Sequence, residues 1–420
     1  MLRYLAVVLI LVAFLPREVT AQELIIPMDE AQAEHLRAYG AVYWALDRGV
    51  EVEWLLNHRG GAFLARGAGE LQAELRIRGV SFEAISSSAA GRLTADLESE
   101  SQNTAVVRLE RAPRIAVYAP DQTLPWNDAV MLALRYAEIP YEQVYDDDVL
   151  AGRLSEFDWL HLHHEDFTGQ YGKFYASYRN APWYQEEQRR AEAAARAHGF
   201  AKVSELKLTV AETIRDYVHN GGYLFAMCSG TETLDVALAA HLTDIVPREF
   251  DGDPIAPDAL NMLDYERTLA FRDFTPSFVA MEYSHSDIDM APPPQARNPA
   301  IDYFTLIDFS AKWDPVPTML TQNHVASVRG FMGQTTAFRP ELIKPTTVVL
   351  ASAPSGAVKY IYGPAGQGFF AFYAGHDPED YQHFVGDPPT DLALHPQSPG
   401  YRLILNNVLF PAAQQRPQKT

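Results

Sequence analysis

Apolar positions in this chain alternate between short runs of three to five residues and longer stretches spaced like one face of a helix, from about residue 22 to residue 241. That alternation predicts an α/β sheet with crossover helices. The first part predicts strands over 24–27, 50–56 and 79–83, with helices over 31–48 and, after the Gly60-Gly61 break, over 68–78. Residues 86–103, rich in Ser, Ala and acidic side chains, read as a connector. Beyond it the pattern predicts strands over 114–118, 141–145, 157–164 and 223–227, separated by helices over 127–137, 185–198 and 209–219. A helix over 230–240 follows directly, and then prolines and aromatics replace periodicity over 245–317. Strands return over 346–351, 358–362 and 368–373, and a helix over 401–409 closes the pattern. The expected fold is a doubly wound, mostly parallel sheet over 104–412 with an inserted aromatic and Pro-rich region, 246–320, and an additional N-terminal α/β half over 22–103. That half lacks an obvious second helix layer, so it is expected to pack against the rest. A loose echo of residues 41–46 in residues 129–134 raises the option of two related halves.

The first 21 residues stand apart. Arg3 precedes an apolar run over 5–15 that is too short to span a bilayer, and Val19-Thr20-Ala21 offers small residues for cleavage before Gln22. This predicts a signal peptide over 1–21 and a periplasmic or secreted mature chain. A formal charge of −20 with no basic cluster sets aside nucleic acid and anionic membrane surfaces as partners, and leaves a small molecule. Oligomeric state is left open.

Cys228 is the only cysteine. In an exported chain it has no partner for an internal disulfide, so staples are excluded. It follows the predicted strand in Gly221-Gly222-Tyr223-Leu224-Phe225-Ala226-Met227-Cys228-Ser229-Gly230, the layout of a nucleophile elbow. The alternative is a packed structural thiol, since free cysteine is among the most buried residue types.

In a parallel sheet, ligands bind beyond the carboxyl ends of the strands. Four polar groups are expected there: His164-Glu165-Asp166, Cys228 with Ser229 and Gly230, Gly375-His376-Asp377, and a loop group that includes His285. A helix N-terminus and a nearby imidazole would favour the thiolate, with a carboxylate behind the imidazole holding its tautomer. Cys228, His376 and Glu379 or Asp380 fit those roles, with His285 or His164 as alternative bases. His164, Glu165, Asp166, Ser229, Gly230, His285 and Asp377 are the expected substrate contacts. His161, His163, His164, Glu165 and Asp166 are also metal-ligand types, but hydrogen bonding is the commoner use of such a strand end, so no metal or other cofactor is expected.

With these residues in hand, the chain resembles the class I glutamine amidotransferase-like fold, which is flavodoxin-like. Its ThuA-like branch is the nearest in pattern, through Gly366-Gln367-Gly368, Gly375-His376-Asp377-Pro378 and Leu405-Asn406-Asn407-Val408-Leu409. Exported chains with His-His-Glu-Asp-Phe and Gly-His-Asp-Pro also resemble a group often labelled asparagine synthetase B, glutamine-hydrolysing. The resemblance implies a Cys-His hydrolase acting on an amide, a glutamine-hydrolysing amidotransferase as that label has it, or a non-catalytic sugar- or peptide-binding protein. The chain departs from glutaminases at two places: His164-Glu165-Asp166 stands where their oxyanion loop has Gly-Gly, and Pro378 stands where they carry glutamate.

Overall fold

A computed structural model describes residues 22–67, 69–121, 128–162, 164–291, 298–330, 333–381 and 388–414. The expected signal peptide and His163 lie outside them. Among the described residues no helix is long and apolar enough to cross a membrane.

The chain is mixed α/β and builds two sheets. The first contains β1 (Gln22–Ile26), β2 (Val52–Leu56), β3 (Ala62–Ala65), β4 (Glu83–Ser86) and β5 (Ala105–Leu109), in the order β4-β1-β3-β2-β5. All its pairs are antiparallel, which corrects the crossover pattern expected for this part of the chain. Apolar rhythm reports a strand but not its direction. Direction is set here by the tight turn between β2 and β3, where Asn57, Arg59, Gly60 and Gly61 all take positive φ. Such a short connection only permits an antiparallel return. The connector expected over 86–103 is instead largely the helix Ser87–Leu97, whose first turn is capped by the Ser86 hydroxyl accepting from the Ala89 N–H. The echo between residues 41–46 and 129–134 marks two helices that feed sheets of different kinds, so it is not a duplication.

The second sheet contains β6 (Ile115–Tyr118), β7 (Glu142–Val144), β8 (Trp159–Leu162), β9 (Tyr223–Met227), β10 (Tyr303–Leu306), β11 (Ser327–Arg329), β12 (Val348–Ser352), β13 (Val358–Ala365) and β14 (Gly368–Tyr373). Its order is β11-β10-β12-β13-β14-β9-β8-β6-β7. From β14 to β7 neighbouring strands run parallel, and from β11 to β14 they run antiparallel. β10 lies inside the Pro-rich region 245–317 and β11 just beyond it. They extend the antiparallel edge.

The parallel strands inside the edge, β6, β8, β9 and β14, are buried on both faces, so their sequences are nearly continuous apolar runs. Successive side chains point to opposite faces. Phe225 and Met227 enter one core with the helices His35–Asp47, Ala129–Ala137 and Pro399–Leu409, while Leu224 and Ala226 enter the other with Val203–His219 and Ser229–Ala239. The first of these cores also takes Trp54 and Phe63 from the first sheet, so the two sheets share one apolar interior. Gly40 lets their helices meet: a Cβ there would stand 1.7 Å from the Ala137 carbonyl oxygen.

Candidate functional site

β8, β9 and β14 are adjacent and parallel, so the chain leaving each of them emerges at one edge. His164, Cys228 and His376 therefore meet, as the sequence suggested. The Cys228 N–H donates to the Gly375 carbonyl at 3.1 Å, which ties the two strand ends together.

Cys228 is the turn from β9 into the helix Ser229–Ala239, with φ 52° and ψ −141°. A side chain at positive φ outside the usual left-handed well costs of order 1–3 kcal/mol and persists only where the surroundings impose it. Thr335, another non-glycine residue with positive φ, accepts the Gly375 N–H next to His376.

Residues 333–336, Gly-Gln-Thr-Thr, pass over the thiol. A Cβ on Gly333 would stand 2.8 Å from the His376 Cβ and 3.3 Å from the Cys228 sulfur, so the thiol and the root of the His376 side chain close on the same glycine and leave no room for a side chain there. The His164 ring, exposed, stacks on His376 with centroids 5.7 Å apart and planes at 12°. Under this strap Cys228 is only 2 % exposed. Burial pushes its thiol up to about 12, against the smaller lowering effect of the neighbouring Ser229 and Gln334 backbone. The expectation of a ready thiolate is corrected by that balance: a helix N-terminus is present, but desolvation outweighs it. A cleft of about 870 Å³ opens at the other end of these strands, lined by Asp158, Gly222 and Phe369 among others, and none of the candidate residues borders it.

The remaining expected residues sort into distinct surroundings. Asp166 is paired with His285 at 3.5 Å and accepts the Thr168 N–H, the Thr168 hydroxyl and the Gly172 N–H at 2.6 to 2.8 Å. Burial opposes its charge, yet His285 and those donors hold its carboxyl well below the usual carboxylate range. Ser229 and Gly230 are buried in the first turn of the elbow helix. Asp377 accepts the Glu379 N–H at 2.9 Å and the Thr390 hydroxyl at 2.8 Å. Glu379, the expected orienter of His376, instead accepts the Ser398 hydroxyl that caps the last helix and lies 3.4 Å from His395. His161 is a core hydrogen-bonder between the Phe225 carbonyl, 3.1 Å, and Asp128, 3.2 Å. It does not face the site. Among the described residues the carboxylates close enough to share an ion are Asp244, Asp251 and Asp253, and the Lys202 ammonium already stands 2.5 to 3.0 Å from all three.

Glu165 turns toward a second polar cluster at the ends of β6 and β7, where Lys207 donates to Tyr118 at 2.9 Å, Tyr145 at 3.1 Å and Asp146 at 3.0 Å. Burial pushes its carboxyl from an ordinary 4.5 to about 8, despite Lys207. In the fold it stays protonated where the unfolded chain would ionise, so its contribution is intact below about pH 4.5 and is lost as pH rises through 8. Glu165→Gln is therefore expected to melt together with the parent at pH 4 and a few degrees above it at pH 8.5; thermal melts across pH check this.

Sequence reasoning missed Glu232, Lys173 and the strap. Glu232, in the first turn of the elbow helix and 1 % exposed, accepts the Ser286 and Thr335 hydroxyls at 2.6 Å each. Burial raises its carboxyl. Lys173 is buried and donates to the Ser277 and Val279 carbonyls at 3.0 Å, and burial lowers its ammonium to about 8. A glutamate four residues after a candidate nucleophile is a readable signal. Nothing local marks the strap.

No protein-family model matches the chain, and no curated protein matches it. Solved structures give only loose likenesses. A cytoplasmic protein of Salmonella typhimurium superimposes with TM-score 0.35 at 11 % identity, covering 72 % of this chain and 100 % of that one. A second cytoplasmic protein, from Salmonella typhimurium LT2, gives 0.34 at 12 %, covering 72 % and 100 %. A protein described as a GMP synthase subunit, from Thermoplasma acidophilum, gives 0.33 at 9 %, covering 71 % and 94 %. Likenesses of this size assign neither family nor activity.

Proposed function

We propose that this chain is an exported hydrolase of amidotransferase-like architecture, with Cys228 as nucleophile and His376 as its base, acting on an amide or related small acyl substrate. The observation that supports this best is the strained turn at Cys228, held at a helix N-terminus, with Cys228 and His376 both packed against Gly333. A thiol with no chemical role does not need that backbone.

Because burial keeps the thiol neutral, the nucleophile forms during the reaction and not before it. The thiol proton passes to the His376 imidazole as sulfur bonds to the carbonyl carbon and the C=O electron pair moves to oxygen. Collapse returns that pair and expels the amine, which takes the proton. Water then attacks the thioester in the same way. The Ser229 N–H, at the free end of the elbow helix, is placed for the oxyanion.

The deep burial of the sulfur favours one competing reading, a binding pocket without turnover. Alkylation separates them. Iodoacetamide is expected to label Cys228 in the folded protein, slowly at pH 7 and faster with each step toward pH 10, and His376→Ala is expected to slow the neutral-pH rate. Labelling that appears only in denaturant would make Cys228 structural.

A further inference from the structure

The residue that leads into His376 is clamped from two sides. The Gly375 N–H donates to the Thr335 carbonyl at 3.2 Å, and the Gly375 carbonyl accepts the Cys228 N–H at 3.1 Å. Gly375 takes φ 105°, which glycine adopts at no steric cost, so the chain leaving β14 turns sharply there. The strap side of the clamp is itself anchored. The Thr335 hydroxyl donates to the Glu232 carboxylate at 2.6 Å, and the Lys359 ammonium, from β13, donates to the Thr336 carbonyl at 2.7 Å. Thr335 holds φ 51°, an outlier for a β-branched residue, and such a backbone persists only where its surroundings impose it. Glu232 stands in the first turn of the helix that Cys228 opens, 1 % exposed, and its other oxygen accepts the Ser286 hydroxyl at 2.6 Å. A buried carboxylate is costly unless hydrogen-bonded, and both oxygens of this one are engaged. One helix therefore fixes the sulfur at its start and, a turn further on, anchors the backbone beside the imidazole.

We propose that Glu232 is a positioning residue for His376: through the Thr335 hydroxyl it fixes the strap carbonyl that holds Gly375, and with it the placement of the imidazole beside Cys228. The proposal rests on the reading of Cys228 as nucleophile and His376 as its base. Glu232 acts through Thr335 and Gly375, so its effect is geometric. A neutral thiol gives up its proton only to a base within hydrogen-bond reach as sulfur attacks, and a displacement of about 1 Å costs on the order of 100-fold.

The test asks whether the effect of the anchor depends on His376. In acylation by p-nitrophenyl acetate the acetyl group passes to sulfur, p-nitrophenolate leaves and His376 takes the thiol proton. Thr335→Val, which keeps the branched shape and removes the hydroxyl, is expected to slow acylation at pH 7 about 10- to 100-fold, and Thr335→Ser to restore most of that loss. Placed in His376→Ala protein, Thr335→Val is expected to change the remaining rate less than about twofold, because the geometry it disturbs serves a base that is gone. Alkylation by iodoacetamide at pH 10, where hydroxide takes the thiol proton, is expected to stay within about twofold of the parent. Glu232→Gln, of nearly the same volume as the parent residue, carries the same comparison should Thr335→Val fold poorly. A pH 7 rate that neither variant lowers, a loss of the same size with and without His376, or a fall in pH 10 alkylation that matches the fall in acylation overturns the proposal. Parent protein that neither reagent labels at Cys228 overturns the nucleophile reading, and this inference with it.

Discussion

His376→Ala slows acylation of Cys228 by p-nitrophenyl acetate about 10²- to 10⁴-fold, and leaves the melting temperature within a degree or two of the parent. The size of the effect follows from the state of the thiol. Burial under the strap pushes it up to about 12, so at neutral pH almost no thiolate exists to attack unaided. An ion-paired thiolate would tolerate loss of its histidine once formed; a neutral thiol needs a proton acceptor in every turnover. His376 packs against Gly333 beside the sulfur, whereas His285 is 1 % exposed and paired with Asp166. Replacing His285 is expected to act on stability more than on acylation. Stopped-flow release of p-nitrophenolate from both variants, alongside their melts, separates the two roles.

Arg402→Met is expected to cost about 3–5 kcal/mol and to lower the melting temperature by roughly 5–10 °C, in a single transition that takes both sheets with it. Arg402 is fully buried on the helix Pro399–Leu409. Its guanidinium donates to the Met28 carbonyl at 2.7 Å, to the Gly60 carbonyl and to the Tyr39 hydroxyl at 3.1 Å, all three in the N-terminal part of the chain. One turn on, Asn406 accepts from Tyr39 and donates to the Leu320 and Gln322 carbonyls at 3.1 and 2.8 Å. Methionine matches the stem of arginine but leaves those buried acceptors unsatisfied, which costs more than the bonds themselves contribute. Two separate calorimetric transitions in the parent, or a loss confined to one of them in the variant, would show that the sheets fold independently.

The elbow was legible because its signals are local. The run Tyr223–Met227 and the run Gly368–Tyr373 were both placed residue for residue, since buried parallel strands are apolar throughout and end abruptly at glycine or polar residues. The meeting of His164, Cys228 and His376 followed from strand direction alone. What failed to read had non-local causes. The antiparallel first sheet depends on a short return between β2 and β3, and Ala62–Ala65 is too brief a run to announce itself beside two glycines. The hydrogen bonding expected of His161 is found, but its partners, Asp128 and Phe225, are far from it in sequence and could not be named from it. Glu379 stood at the right spacing behind His376, yet the Ser398 cap and His395 engage it. Part of the thiol's cover comes from Gly333, about a hundred positions beyond the cysteine, and a Gly-Gln-Thr-Thr segment carries no signature of what it will cover.

The central claim is that Cys228 forms a covalent bond to an acyl carbon. Brief mixing of the folded protein with p-nitrophenyl acetate, quenching in acid and peptide mass mapping tests it most directly. The account predicts one acetyl group per chain, located on Cys228, with a matching burst of p-nitrophenolate that disappears in Cys228→Ala. Acetylation spread over lysines, or a burst that survives in Cys228→Ala, would contradict it.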